Sequence, residues 1–229
     1  MTDLLVIVPS RGRPQNIAAL WDAWEATTTG SAQLLVAVDD DDPTLDDYLY
    51  VCGRRSIEVT IGPRLRMVPT LNAVAVERAP RHFALGFLGD DHRPRSHGWS
   101  DAYLAALREL GTGIVYGNDL LAGERLPTQV AMTSDIVQTL GAMVPAPVTH
   151  CWADNCWIDL GKALDRIRYL PDVVVEHLHP LAGKAPEDAG YREVNAPDLF
   201  EADRLAYAGW LSSGMADDVA KLQAMMASE

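Results

Sequence analysis

Leu4–Val8 (LLVIV) is a run of five apolar residues with no polar break, and it stops at Pro9–Ser10–Arg11–Gly12–Arg13–Pro14. A strand with one wet face alternates apolar and polar residues. A short run that is apolar on both sides of the pleat belongs in a strand covered on both faces. The run is far short of the roughly 20 residues that cross a bilayer. With no basic stretch before it and Pro9 closing it, it reads as a first strand and not as a secretion signal. A doubly buried strand requires helices above and below it, which the rest of the chain must supply.

The following residues meet that requirement. Pro14 opens a helix on which Ile17, Leu20, Trp21 and Trp24 share a face. A strand (Leu34–Val38), a short helix after Pro43, a strand (Ile57–Ile61), a helix (Thr70–Arg78) and a strand (His82–Leu88) follow. Trp99, Tyr103, Leu107 and Leu110 mark another amphipathic helix, and Gly113–Gly117 another strand. The alternation predicts an α/β chain with a mostly parallel, Rossmann-like sheet and helices on both faces. Beyond residue 117 the pattern changes. Leu120–Gln129 reads as loop or hairpin, Ser134–Leu140 and Ala153–Leu164 as helices, and Asp172–Pro180 as a strand entering a polar turn. Gly183–Pro197 reads as loop, and Phe200–Met226 as helix with a break at Ser212–Gly214.

With 229 residues, 48% of them hydrophobic, the chain can bury one sizeable core. Cys52, Cys151 and Cys156 are odd in number and lack zinc-type spacing. They are expected to be free thiols of a soluble cytoplasmic protein with no membrane segment. A net charge of −13 opposes broad attraction to a phosphate backbone. Yet 16 of the 19 basic residues are Arg, nine of them between Arg54 and Arg108, so a local anion pocket is compatible with the acidic whole.

In a doubly wound sheet, ligands gather beyond the C-terminal ends of the strands. Four polar clusters fall there: Pro9–Ser10–Arg11, Asp39, Gly62–Pro63–Arg64 and Gly89–Asp90–Asp91–His92. Two adjacent carboxylates repel, so Asp90–Asp91 needs water, a counter-ion or a cation partner. A hard divalent ion takes oxygen ligands and bridges phosphates. The order LLVIVPSRGRP, LLVAVDDDD, FLGDDHRP, HGW, HCWADNCWIDLG and VVVEHLHP resembles the inverting, family 2-like glycosyltransferases of the GT-A fold, over about residues 4–180.

That resemblance implies a metal-dependent, inverting transfer of a sugar from a nucleotide-diphosphate donor, UDP-sugar favoured, to a hydroxyl acceptor. It implies a domain over residues 1–195, with a nucleotide-sugar half to about 117 and an acceptor half from about 118, followed by a helical extension over 196–229. Pro9, Ser10, Arg11 and Asp39 would hold the nucleoside, with Arg64, Arg66 and Asn72 assisting. The family's Asp-x-Asp falls on Gly89–Asp90–Asp91, so its first acid is missing. The metal, Mn²⁺ or Mg²⁺, is assigned to Asp91 with His177, His179 being the nearby competitor, and Asp90 stands nearer the ribose. Asp154 matches the family's general base, although a helix cap is an equally ordinary use of Asp at that position. Trp152 and Trp157 straddle it, and core burial is the first reading of both. The size and the GDDH form are similar to bacteriophage glycosyltransferases that modify DNA. A 5-hydroxymethyl pyrimidine in phage DNA is therefore one candidate acceptor, flipped out of its duplex. The C-terminal helices would cover the acceptor side or form a contact in a homodimer; a monomer is equally compatible.

Two rival readings use the same acids. Asp40-x-Asp42-x-Thr44 fits the nucleophile loop of haloacid-dehalogenase-type phosphatases, but it follows the second strand, and the first lysine is Lys162. A sugar nucleotidyltransferase would want a glycine-rich loop with a Lys after the first strand, which PSRGRPQN lacks. A non-catalytic nucleotide-sugar-binding module would keep the fold with a decayed site.

Overall fold

A computed structural model describes residues 2–228. Its first half is built from β1 (Leu4–Ser10), α1 (Pro14–Thr27), β2 (Ala32–Asp39), α2 (Leu45–Arg55), β3 (Glu58–Gly62), α3 (Met67–Arg78) and β4 (Ala84–Phe87). Next come β5 (His92–Pro94), α4 (Trp99–Leu110), β6 (Ile114–Asn118), β7 (Val130–Thr133) and α5 (Ser134–Leu140). The chain ends with α6 (Ala153–Leu164), β8 (Ile167–His177), α7 (Ala189–Val194), α8 (Pro197–Gly209) and α9 (Met215–Met226).

The eight strands form one sheet in the order β3-β2-β1-β4-β7-β6-β8-β5. β1 lies parallel to both β2 and β4, while β7 is antiparallel to β4 and β6, and β5 antiparallel to β8. The continuous apolar run of β1 splits by alternation. Leu5 and Ile7 enter one buried layer with residues of α3, α5 and α6; Leu4, Val6 and Val8 enter the other with residues of α1, α2 and α4. Each such side chain contributes about 1.5–3 kcal/mol by leaving water. Trp210 and Leu222, from the C-terminal helices, belong to the first of these layers.

The expected elements appear up to β6, and α5 and α6 have the expected bounds. Three departures follow from context. β7 falls beyond the expected loop because four residues buried on both sides, Val130–Thr133, are completed only by their neighbours β4 and β6. β8 begins five residues early, since a register shift at Gly117/Asn118 lets Pro171, which lacks an N–H, stay in the strand. The expected loop contains α7, and the expected break at 212–214 is a π-helical turn over Trp210–Gly214. A Cβ on Gly214 would stand 2.9 Å from the Trp210 ring, so the tight passage requires glycine there. Cys52, Cys151 and Cys156 are free thiols. Among the described residues no helix is long and apolar enough to cross a membrane.

Candidate active site

The turn after β4 separates two neighbouring acids. Asp90 turns inward and is 5% exposed. Ser10 Oγ donates to it at 2.6 Å, Asn16 Nδ2 at 3.2 Å and Arg13 Nη1 at 3.3 Å. Burial raises its pKa, against the pull of Arg13. Tyr48 OH braces the same knot by accepting from Arg13 N (2.8 Å) and sharing a hydrogen bond with Ser10 Oγ (2.7 Å). Asp90 is thus tied into the β1 turn, and the expected contact to a ribose gives way to this internal network.

Asp91 points the other way. Its carboxylate oxygens lie 3.5 Å from His92 Nδ1 and 3.3 Å from His177 Nε2. Burial alone would push its pKa up, but His177 and His92 hold it well below the usual carboxylate range. The register of β5 on β8 sets His92 directly opposite His177, and the rings stack at 4.2 Å. Ligand atoms of Asp91, His92 and His177 all lie within 4.8 Å of one another.

The hydrogen bonds distinguish the two histidines. Gly89 N–H donates to His92 Nδ1 (3.0 Å), and His92 Nε2 faces Thr128 Oγ1 (3.4 Å), whose hydroxyl donates to Asp119 (2.8 Å). Both nitrogens of His92 are therefore engaged, and burial lowers its pKa to about 4, which keeps it neutral. Among the described residues His177 has only Asp91 beside Nε2, and its buried Nδ1 has no hydrogen-bond partner. His179 spends Nδ1 accepting from Leu181 N (3.2 Å).

A carboxylate with one available imidazole suits Mn²⁺ better than Mg²⁺. A Cβ on Gly89 would stand 2.6 Å from Asp91 Oδ1 and 2.9 Å from His92 Nδ1. The space that a side chain at position 89 would take is therefore needed by these two groups. The residues present fit a metal on Asp91 and His177.

On the adjoining strand ends, Arg11 bridges Asp39 (2.9 Å) and Asp41 (2.5 Å). Burial raises the pKa of Asp39, partly offset by Arg11. Arg64 and Arg66 both face Glu193 of α7, at 2.5 and 3.6 Å, and Arg13 forks onto Asp188 at 2.6 and 2.7 Å. A cavity of about 160 Å³ opens between β2, β3 and α3, lined in part by Val38, Thr60, Gly62 and Leu65. Asn72 does not face this region. Its amide clamps the chain at Met143 and Val144 through three hydrogen bonds of 2.9 Å, a structural duty in place of the expected nucleotide contact. Arg93 is buried against backbone carbonyls of Asp90 and His92, and Arg95 pairs with Glu176.

Asp154 sits in the first turn of α6, but Trp152, in a left-handed conformation (φ 71°), is the cap, and it makes no side-chain cap bond. The Asp154 carboxylate accepts only from Asn155 N (3.1 Å). Burial raises its pKa, with His177 lowering and Asp119 raising it electrostatically. It is therefore a half-buried carboxylate with unused lone pairs, within electrostatic reach of His177. Trp157 is core, donating to Met143 O, whereas Trp152 is half-buried with its N–H unpartnered. The sequence reading missed Arg13, His92 and His150. All three stand inside the quoted motifs; the structure shows His150 as a half-buried ring influenced by Asp203, Arg13, Asp91 and Arg66.

No protein-family model and no curated protein matches the sequence. Solved structures do. A mannosyltransferase from Pyrobaculum calidifontis, in complex with GDP-Man and Mn²⁺, matches with a TM-score of 0.60 at 14% identity, over 98% of this chain and 79% of that one. S. aureus TarS matches with a TM-score of 0.59 at 13% identity, over 76% of this chain. A putative nucleotide-diphospho-sugar transferase from Desulfovibrio desulfuricans matches with a TM-score of 0.55 at 10% identity, over 92% of this chain and 99% of that one. The match spans 36% of TarS and 59% of its 1–349 fragment bound to UDP. At such identities the likeness is one of fold: the chain has the GT-A architecture that its motifs imply.

Proposed function

We propose that the protein is a metal-dependent, inverting glycosyltransferase that moves a sugar from a nucleoside-diphosphate donor to a hydroxyl acceptor. The observation that carries this reading is the meeting of Asp91 and His177 at the strand ends, with a half-buried Asp154 that lies within electrostatic reach of His177 and whose carboxylate accepts from Asn155 N alone among the described residues. The fold neighbours bind donors of this class, UDP, UDP-GlcNAc and GDP-Man, the last with Mn²⁺.

Asp91 and His177 would hold a divalent ion, whose positive charge would stabilise a departing diphosphate. Arg11 and Asp39 present a charged rim to the nucleoside, and the adjoining cavity of about 160 Å³ has room for a base. Asp154 accepts the hydroxyl proton as the acceptor oxygen attacks the anomeric carbon and the sugar–phosphate bond breaks on the opposite side. Burial suits it to that task, since a base with a raised pKa binds the proton more firmly. The donor half is assigned to residues 1–117 and the acceptor half to 118–195.

Of the two rival acids, Asp40 is exposed and Asp42 is otherwise occupied. Asp42 accepts from Gly12 N (2.8 Å), Thr44 N and Thr44 Oγ1 (both 2.7 Å), the bonding of a turn and not of a nucleophile. A duplex acceptor draws no support from Arg93, which is buried, or from Arg95, which is paired with Glu176.

A thermal-shift screen of UDP-, GDP- and dTDP-sugars with and without Mn²⁺ tests the reading. A donor at a hundredfold its Kd stabilises the fold by about 2.7 kcal/mol. Mn²⁺-dependent stabilisation by one nucleotide series is expected. Stabilisation by phosphate analogues alone would overturn it in favour of a phosphatase. Hydroxymethylated DNA belongs among the acceptors then offered, and transfer to it would assign the DNA-modifying role.

A further inference from the structure

We infer that Asp203, on the C-terminal helix α8, is a positioning residue for the general base: it shapes the loop that delivers Asp154. The inference rests on the glycosyltransferase reading and extends it to a residue outside the expected catalytic domain.

Asp203 is 4% exposed, and among the described residues no Lys, Arg or His forms an ion pair with it. Its carboxylate is met instead by Thr149 N (2.7 Å), His150 N (2.9 Å) and Cys151 N (2.9 Å). Thr149 Oγ1 adds contacts of 3.1 and 3.2 Å. Three successive backbone N–H groups aimed at one point belong to neither helix nor strand. They form a nest, a shape that is favourable only around an anion. The anion here is a side chain of the protein itself, reaching back across 54 residues.

The next residue, Trp152, has φ 71°, a conformation disfavoured for any residue with a Cβ. Its ring stacks on Tyr207 (5.3 Å, 17°) and packs against Phe200 (5.7 Å). Residues 200, 203 and 207 lie three and four apart, so a single face of α8 grips the loop. Tyr207 OH also donates to Asp159 in α6. The left-handed turn at Trp152 starts α6 one residue later and sets Asp154 in its first turn. Nothing in Asp154's own hydrogen bonding fixes its location, because its sole partner is the adjacent Asn155 N. The position of the base is therefore inherited from the loop, and the loop's shape from Asp203.

The test compares wild type, D203N, D154N and the double variant. The assay is nucleoside-diphosphate release from the sugar donor that the thermal-shift screen selects, with UDP, GDP and Mn²⁺ binding measured in parallel. The amide introduced by D203N would direct an N–H₂ toward N–H donors. D203N should lower kcat about 100-fold while leaving UDP or GDP and Mn²⁺ binding within about twofold. The double variant should be no slower than D154N, because a misplaced base and a missing one are equivalent. Amide exchange at 149–151 should accelerate in D203N while β1 stays protected. Full kcat in D203N, or additive losses in the double variant, overturns the inference. If D203N fails to fold, T149V decides. It removes only the hydroxyl contacts, and a lowered kcat with unchanged nucleotide binding supports the inference, whereas wild-type kcat overturns it. A wild type that binds neither UDP nor GDP would instead overturn the proposed function, and the catalytic part of this inference with it.

Discussion

Two acidic turns close parallel strands that flank β1, Asp39–Asp42 after β2 and Asp90–Asp91 after β4, and they end in opposite states. In the first, every buried carboxylate has donors that satisfy it: Arg11 for Asp39, and Gly12 and Thr44 for Asp42. In the second the same logic applies to Asp90, held by Ser10, Asn16 and Arg13, but not to Asp91. Asp91 faces His177, whose other nitrogen is buried without a partner. The density of acids in a sequence is therefore a poor guide to a cation site. A carboxylate facing a ligating side chain with capacity to spare is a better one.

The contrast is broken or sharpened most strongly at Asp91. Asp91→Ala should abolish both transfer and the Mn²⁺-dependent shift in Tm; a variant that still answers to Mn²⁺ would move the ion elsewhere. Asp154→Asn should lower kcat by about 10²- to 10⁴-fold with nucleotide affinity retained. The base must be ionised and burial raises its pKa, so wild-type kcat should be present above that raised value and fall as pH drops through it. The acidic limb should therefore lie above the ordinary aspartate range, and a rate–pH profile checks this.

Asp90→Ala should act on stability instead. Removing it takes a partner from Ser10, Asn16 and Arg13, at a cost of about 2–3 kcal/mol, moderated because Arg13 keeps its fork on Asp188 and some contact with water. That loss corresponds to a Tm lower by roughly 4–12 °C, with Mn²⁺ response unchanged in the folded variant. An undiminished Tm with lost Mn²⁺ response would exchange the roles of the two acids. Asp42→Ala should cost only about 1 kcal/mol, as for a lost cap, and leave turnover intact. Abolished turnover there would instead restore the phosphatase.

Much of the fold was legible along the chain because its signals are local. LLVIV reports two covered faces, Pro14 a helix start, and the 153–164 spacing a helix whose bounds the structure reproduces. β7 was not legible: four residues have no period to speak of, and their pairing depends on β4 and β6, far away in sequence. At the site, motif order singled out Asp91 and His177, which the structure brings together, whereas the contact of Asn72 with Met143 and Val144 was not legible because a helix face cannot reveal the carbonyl it will meet. His92 stood in plain view beside the acids, and its duty became clear only from Gly89 and Thr128.

The sequence by itself determined the alternating architecture and the strand ends at which polar side chains collect, since hydrophobic periodicity and turn chemistry act over a few residues. Only the tertiary structure decided which of two adjacent acids faces the histidine pair, which histidine keeps a nitrogen without a partner among the described residues, and that a carboxylate on α8 caps the backbone of the loop before Asp154. Those outcomes depend chiefly on partners 36 to 86 positions away, brought within hydrogen-bonding distance by packing that no local pattern encodes.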